Sequence, residues 1–264
     1  MKKQIVTACA LIASVAAFAT SVESSNTFGV LKIDVGATAK EVVIPVPWAA
    51  VGTGDAAIKV TDFVLATGRA SGDTLYIYDA SAKGYKVWQA DGNGNWALGN
   101  TVVINAGDEI SRLDATTADT IARGQAAILV LNEASANNNP VYLSGQYSDS
   151  VASTTVYGLT EEEAKFAHLG KTHSTLIAPP KAAPCNLNSD LIYEKADGVS
   201  MDGDQILVFG GDSYTYGDVD GQDMWYKLGS GRPPARITTD VKIPIGTGAW
   251  YIRRNTGNIT IKWK

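Results

Sequence analysis

The chain has 264 residues, 45% of them hydrophobic and 19% charged, with a formal net charge of -5 and two cysteines. That mildly acidic balance sets aside a nucleic-acid partner, which needs clustered Lys and Arg. Here the close basic groups are only Arg232 with Arg236 and Arg253 with Arg254. Neither a P-loop nor a Rossmann glycine pattern is present, so a nucleotide site has no support.

The chain opens with Lys2 and Lys3, an apolar run from Ile5 to Phe18, and small residues at Ala17 and Ala19, the three-part form of an export signal cleaved after Ala19. The run is roughly 14 residues, short of the ~20 that span a bilayer as a helix. The expectation is a protein secreted or held at the cell surface, with no transmembrane segment in the mature chain. Val6 to Cys9 loosely resembles a lipobox, but it lies too close to the charged start to follow a full apolar region. Cleavage removes Cys9 and leaves Cys185 without an internal disulfide partner. It then reads as a buried small hydrophobe, with an intermolecular link as the sharper alternative. Loss of the two lysines takes the formal charge from -5 to -7. A mature chain of about 245 residues is long enough to be held by its core, as two domains or one large β domain.

Strand signals dominate the mature chain. Short β-branched or aromatic runs such as Thr74 to Asp79 and Gln205 to Phe209 alternate with Gly, Asn and Asp turns. The one helical pattern runs from Glu161 to Leu169, with Thr160 as N-cap, Glu161 to Glu163 in the first turn and Gly170 as the stop. It separates two halves that repeat. Gly72-Asp73-Thr74-Leu75-Tyr76-Ile77-Tyr78 aligns with Gly203-Asp204-Gln205-Ile206-Leu207-Val208-Phe209 at an offset of 131 residues, and Val46-Pro47 falls on Ile177-Ala178 at the same offset. Tyr85 and Trp96 then match Tyr216 and Trp225, and the block from Arg123 to Val130 matches that from Ile245 to Ile252. Order is kept while loop lengths vary, as a duplicated β fold predicts. The predicted organisation is all-β: two duplicated β-sandwich-like modules joined by a short helical linker. The boundaries are 1–19 signal peptide, 20–150 first module, 151–170 linker with the helix, and 171–264 second module.

The arrangement resembles a group of uncharacterised signal-bearing bacterial proteins with a duplicated β-sandwich-like module. The matching features are the Ser25 to Leu31 start, the Ile44-Pro45-Val46-Pro47-Trp48 strand, the two Gly-Asp blocks and the Gly246-Thr247-Gly248-Ala249-Trp250-Tyr251 block. The resemblance implies a secreted β-sandwich and carries over no activity. A second likeness is local. Ile206 to Gly217, with Gly210-Gly211-Asp212-Ser213, resembles the strand and nucleophile block of the GDSL or SGNH esterases. That family has the serine near the N-terminus and an Asp-x-x-His near the C-terminus. Here the block lies late, an extra glycine intervenes, no Asp-x-x-His exists, and His168 and His173 both precede Ser213. Without a base Ser213 is a weak nucleophile, and a Gly-Gly-Asp hairpin turn explains the same residues.

Calcium is the one cofactor the sequence suggests, as a structural ion. Asp91, Asn93 and Asn95 alternate as loop ligands do, and Asp218, Asp220 and Asp223 cluster at the corresponding place. However, Trp96 and Val102 fill positions where an EF-hand needs Gly and Glu, and Asn93-Gly94 is also a favoured type I′ turn. His168 and His173 do not share a helical face, so zinc or copper has little support. Asp73 and Asp204 recur in the repeat and could pair as carboxylates for glycoside hydrolysis, yet a Gly-Asp strand opening is normally a turn bonded to its own backbone. Six tryptophans and eleven tyrosines leave Tyr85, Trp88, Trp96, Tyr216 and Trp225 as candidate stacking platforms for extracellular glycans, with core packing as the plainer reading. The leading expectation is a non-enzymatic structural or adhesion protein. Its partners would be itself or other surface proteins, joined by strand exchange at Phe28 to Val35 or Asn258 to Trp263. A carbohydrate-binding protein is the alternative, and a hydrolase the third.

Overall fold

The computed structural model describes residues 28–33, 41–49, 57–64, 68–99, 111–132, 140–148, 150–181 and 183–264. Residues 1–27, which include the expected export signal and Ser25 to Thr27, lie outside them. In chain order the first half contributes β1 (Phe28–Ile33), β2 (Glu41–Pro45), β3 (Ile58–Lys59), α1 (Val60–Phe63), β4 (Thr74–Asp79), β5 (Gly84–Ala90), β6 (Trp96–Leu98), β7 (Ser111–Arg112), β8 (Thr120–Ile121), β9 (Ala126–Val130) and β10 (Val141–Gln146). The second contributes β11 (Ser153–Val156), α2 (Glu161–Ala164), β12 (His173–Ile177), β13 (Cys185–Asn186), β14 (Leu191–Lys195), β15 (Gln205–Val208), β16 (Ser213–Val219), β17 (Gln222–Leu228), β18 (Arg236–Ile237), β19 (Lys242–Ile243), β20 (Ala249–Arg253) and β21 (Ile259–Trp263). The fold is all-β, and among the described residues no helix is long and apolar enough to cross a membrane.

The same strand order appears in both halves. The large sheets run β2-β9-β4-β5-β6 and β12-β20-β15-β16-β17-β18; the small pairs are β3-β8 and β13-β19; the opposing layers are β1-β10 and β11-β21-β14. In the first half Leu31, Ile33, Val141 and Leu143 of the ribbon pack on Ile44, Leu75 and Leu129 of the large sheet. In the second, Val156, Ile259 and Ile261 pack on Ile177, Ile206 and Tyr251. Each half is thus a two-layered sandwich with its own core, the arrangement alternating strands produce when one face of each sheet is apolar.

Two expectations change. Residues 151–170 are not a linker, because β11 pairs with β21 inside the second sandwich. Residues 161–169 do not form one helix. Thr160 and Glu163 make the capping box, but α2 stops after one turn and a separate 3-10 turn covers Ala167–Leu169. No side chain of either turn is buried, so no apolar face supplies the tertiary packing that short helices need.

Both sandwiches are tied together at the recurring aspartate. A turn places Gly72 (φ 96°) or Gly203 (φ 77°) in the left-handed region, where a side chain would be strained. The next residue then enters the large sheet. Asp73 accepts a hydrogen bond from the Asn132 N–H at 2.9 Å, and Asp204 accepts the equivalent one from Arg254 N–H at 3.1 Å. Both aspartates are fully buried. The second sandwich adds an ion pair: Arg253 Nη1 lies 2.6 Å from Asp204 Oδ2, both side chains inaccessible to solvent. Tyr251 donates its hydroxyl to the same oxygen at 3.1 Å. Burial pushes the Asp204 carboxyl up, while Arg253, the Arg254 N–H and Tyr251 pull it down. The first half carries Leu131 at the place of Arg253.

This difference predicts unequal costs. Asp204→Ala should destabilise by about 3–5 kcal/mol, because it leaves a buried guanidinium uncompensated. Asp73→Ala should cost less, about 1–3 kcal/mol, because it leaves the partly buried Asn132 N–H without its acceptor and removes only the through-space charge that Asp73 offers Arg69. Urea denaturation monitored by tryptophan fluorescence checks the order, and equal costs would contradict it.

Candidate functional site: the cleft between the modules

β4 is apolar on both faces. Leu75 and Ile77 enter the first core, whereas Tyr76 and Tyr78 point away from it to join Val43, Val87 and Ile128. On β20 of the second sandwich, Ala249 and Tyr251 face their own core, and Trp250 points outward. These outer faces meet, so the two large sheets stack through a third cluster containing Leu176 and Ala178 and flanked by Tyr78, Tyr85, Phe209 and Trp250. Gly248 allows the close approach. A Cβ there would lie 2.8 Å from Val43 Cγ1 and 2.9 Å from the Ile177 carbonyl oxygen, so a side chain would force the sheets apart. A backbone bond from Ala178 N–H to Gly124 O, 3.0 Å, crosses the same seam.

Beyond this contact the sheets diverge around a cleft of about 780 Å³. Aromatic rings line it from both sandwiches, Tyr78 and Tyr85 from the first and Trp250 from the second. Tyr78 lies 5.0 Å from Tyr85 and meets Trp250 nearly edge-on, at 5.1 Å and 83°. Phe209 backs Trp250 at 6.3 Å. Polar groups stand beside these rings on both sandwiches: Lys83 in the turn between Tyr78 and Tyr85 on the first, and Glu163 and the Lys171 to Ser174 segment, with the neighbouring Ile252 and Trp250, on the second. On the far side of Tyr78 a second crevice of about 400 Å³ runs between Lys86, Ser153, Thr155 and Thr175.

Two contacts latch the cleft. His173 is buried on β12, and its Nε2 lies 2.7 Å from the Ala80 carbonyl oxygen of the first sandwich, so this nitrogen carries the proton and donates. The ring stacks on Tyr157 at 5.8 Å. Burial lowers the His173 pKa from its ordinary 6.5, the Ala80 bond acting in the opposite direction. Lys83 of the β4–β5 turn forms an ion pair with Glu163 of α2. That bond and the Thr160 N–H hold Glu163 at about 2, below its ordinary 4.5.

Trp88, Trp96 and Trp225, expected as candidate platforms, are buried, so none can stack on a sugar. Trp96 donates its indole N–H to Val64 O at 2.6 Å and Trp225 to the Tyr193 hydroxyl at 2.8 Å. Each closes the end of a sandwich core. Tyr216 is half-buried against Trp225, ring centroids 5.3 Å apart, away from the cleft. Of that set only Tyr85 reaches it. Sequence reasoning does not group Tyr78, Trp250, Lys83, Glu163, Lys171 and His173. Their one sequence signal is the unbroken apolar run Leu75-Tyr76-Ile77-Tyr78, the pattern of a strand covered on both faces.

The calcium candidates are engaged as turn residues. Asp91 accepts from Asn93 N–H at 2.7 Å, from Asn95 N–H at 3.1 Å, and from the Asn95 side chain. Asp218 accepts from Gly221 N–H at 3.3 Å, and Asp223 sits directly across the hairpin from Asp218. Among the described residues no three His, Cys, Asp or Glu side chains are grouped as ligands would be. The type I′ geometry is found at Asp220-Gly221, where φ is 54° and 84°; Asn93, with its φ not positive, does not have it. Ser213 is exposed at the start of β16, across an antiparallel hairpin from Leu207. The Gly-Gly-Asp segment is the turn, closed by Val208 N–H to Asp212 O at 3.0 Å. His168 is exposed on the 3-10 turn. Cys185 is free and buried, and burial pushes its thiol up to about 12.

The latches make the molecule sensitive to acid. A histidine whose folded pKa is lowered weakens the fold as pH falls below 6.5 towards that lowered value; a depressed Glu163 adds a further loss from 4.5 down to about 2. Thermal unfolding midpoints taken downward from neutral pH should therefore fall in two stages. His173→Gln should remove the upper stage and leave the lower; an unchanged upper stage would exclude His173 as its source.

Comparison with known proteins finds no family model, no curated protein and no solved structure that matches this chain.

Proposed function

We propose that this chain is an exported, non-enzymatic protein of the cell surface or extracellular space, built from two copies of one ancestral β module and working as a structural or adhesive component. The observation that carries this reading is the matched pair of buried aspartates. Asp73 and Asp204 recur with the same backbone partner in the same strand order, so the most prominent repeated carboxylates serve the sandwich. The leader-like start at Lys2 to Ala19 supports export. The Ser213 hairpin supports a non-catalytic role, because the serine opens an antiparallel hairpin strand and the preceding carboxylate, Asp212, is paired with Lys227 at 3.0 Å.

The edge proposed for self-association is narrower than the sequence suggests. β21, within the Asn258 to Trp263 segment, is paired on both sides, with β11 and with β14, and has no free backbone to offer. β1 is an outer strand, paired with β10 alone among the described residues. Val30 on it is 64% exposed and Tyr142 on β10 48%, an apolar outer face at the edge of the ribbon. Residues 34 and 35 of the Phe28 to Val35 segment lie outside the described residues.

Sedimentation velocity over rising protein concentration is expected to show reversible association that Val30→Asp abolishes without lowering the melting temperature. Monomers at every concentration would overturn the assembly reading. Turnover of generic ester or glycoside substrates by the purified chain, retained on repeated purification, would overturn the non-enzymatic one.

A further inference from the structure

We infer that the cleft between the modules binds an acidic oligosaccharide, with a sugar ring against Trp250 and Tyr78 and a ring carboxylate against Lys171. At about 780 Å³ the cleft falls within the range of small-molecule sites. Its lining sets aromatic rings beside polar groups, the two kinds of surface that a sugar presents. The C–H face of a pyranose packs on aromatic rings, and its hydroxyl rim needs hydrogen-bonding groups. Trp250 and Tyr78 are each half-buried; they meet nearly edge-on, and Phe209 lies tilted against Trp250. A rigid, partly exposed aromatic pair contributes contact area with little further ordering.

The polar groups at the cleft divide into satisfied and unsatisfied ones. Glu163 is occupied by Lys83 and by Thr160, and the His173 Nε2 proton by Ala80 O. On the neighbouring side Asp79 accepts from the Ser81 hydroxyl at 2.6 Å and from the N–H groups of Ser81 and Ala82. The Tyr78 hydroxyl, the Trp250 indole N–H and the Lys171 ammonium make no such bond among the described residues and are not enclosed by them. With the Lys83–Glu163 charges cancelling and His173 neutral, Lys171 is the one uncompensated charge among the groups lining the cleft. A carboxylate on the sugar complements it, and hydroxyls complement the phenol and the indole. Such a ligand touches both sandwiches and so stabilises their junction. Its binding does not depend on self-association through β1.

The test titrates the full chain with hexagalacturonate and, in parallel, with cellohexaose, following tryptophan fluorescence, calorimetry and the melting temperature. Hexagalacturonate should bind saturably, raise the melting temperature, and bind less tightly as salt is added. Trp250→Ala should weaken binding by about tenfold or more, the loss of one central aromatic anchor. Lys171→Glu, a reversal at an exposed residue with no bonds in the fold, should weaken hexagalacturonate by roughly tenfold and leave the melting temperature of the free protein unchanged. It keeps the test open if Trp250→Ala disturbs the module junction. Absence of binding by either sugar overturns the inference. So does equal affinity for cellohexaose and hexagalacturonate, or binding to which neither variant makes a difference.

Discussion

A carboxylate buried at the entrance of a strand has to be satisfied, and in this chain the need is met by the backbone at the far end of the neighbouring strand. Asp204 reaches the N–H of Arg254, and Asp73 that of Asn132. The bond fixes where β15 lies against β20, and β4 against β9. Because a slip of one residue in a sheet exchanges its two faces, this fixed register decides that Ile206 and Tyr251 meet in one core and Leu75 and Leu129 in the other. It also decides that Trp250 and Tyr78 emerge on the opposite faces. The core and the cleft therefore depend on the same contact.

The two halves meet the cost of burying that aspartate differently. The second surrounds Asp204 with Arg253, Tyr251 and Asn255, and Arg253 in turn donates to the carbonyls of Ser200 and Thr256 at 3.0 and 3.2 Å. The first has a leucine at the arginine position, and Asp73 instead lies near Arg69, whose charge it stabilises against burial. A fully desolvated ion pair is seldom more stabilising than an apolar replacement, but it is strongly destabilising once half of it is lost. The second sandwich is thus the one in which a single substitution has the larger effect.

Strand class was legible because it depends on local pattern. Gly-Asp blocks, β-branched runs and turn residues locate strands without reference to their neighbours, and the block from Arg123 to Val130 matches that from Ile245 to Ile252 in the register actually found. Pairing between distant strands was less legible. Ile44, not Val46, corresponds to Ile177, since each is the fully buried residue of its edge strand. Tyr85 does not correspond to Tyr216: the β4–β5 hairpin has six ladder pairs where β15–β16 has three, and the register places Ala90 where the other half has Tyr216. Trp96 and Trp225 do correspond, but alternation alone cannot say which face of a strand looks at solvent when both are apolar. That ambiguity made buried tryptophans candidate platforms and hid the role of Trp250, one residue from the core residue Tyr251.

Stacking two similar sheets back to back would give a dry, closed seam if the facing residues were equivalent. They are not. By strand pairing Trp250 occupies the place that Ile128 has in the first sandwich: Ile128 is buried in the seam, and Trp250 is half-buried at its rim. The indole sits against Tyr78 and Phe209, ring centroids 5.1 and 6.3 Å away, while Gly248, its near neighbour, lets the sheets touch, since a Cβ there would lie 2.8 Å from Val43 Cγ1. One glycine at the contact and one tryptophan beside the cleft thus stand on the same strand. Close packing transmits such a size difference directly into sheet position, so the cleft follows from unequal side chains on a shared framework and needs no extra loop or domain.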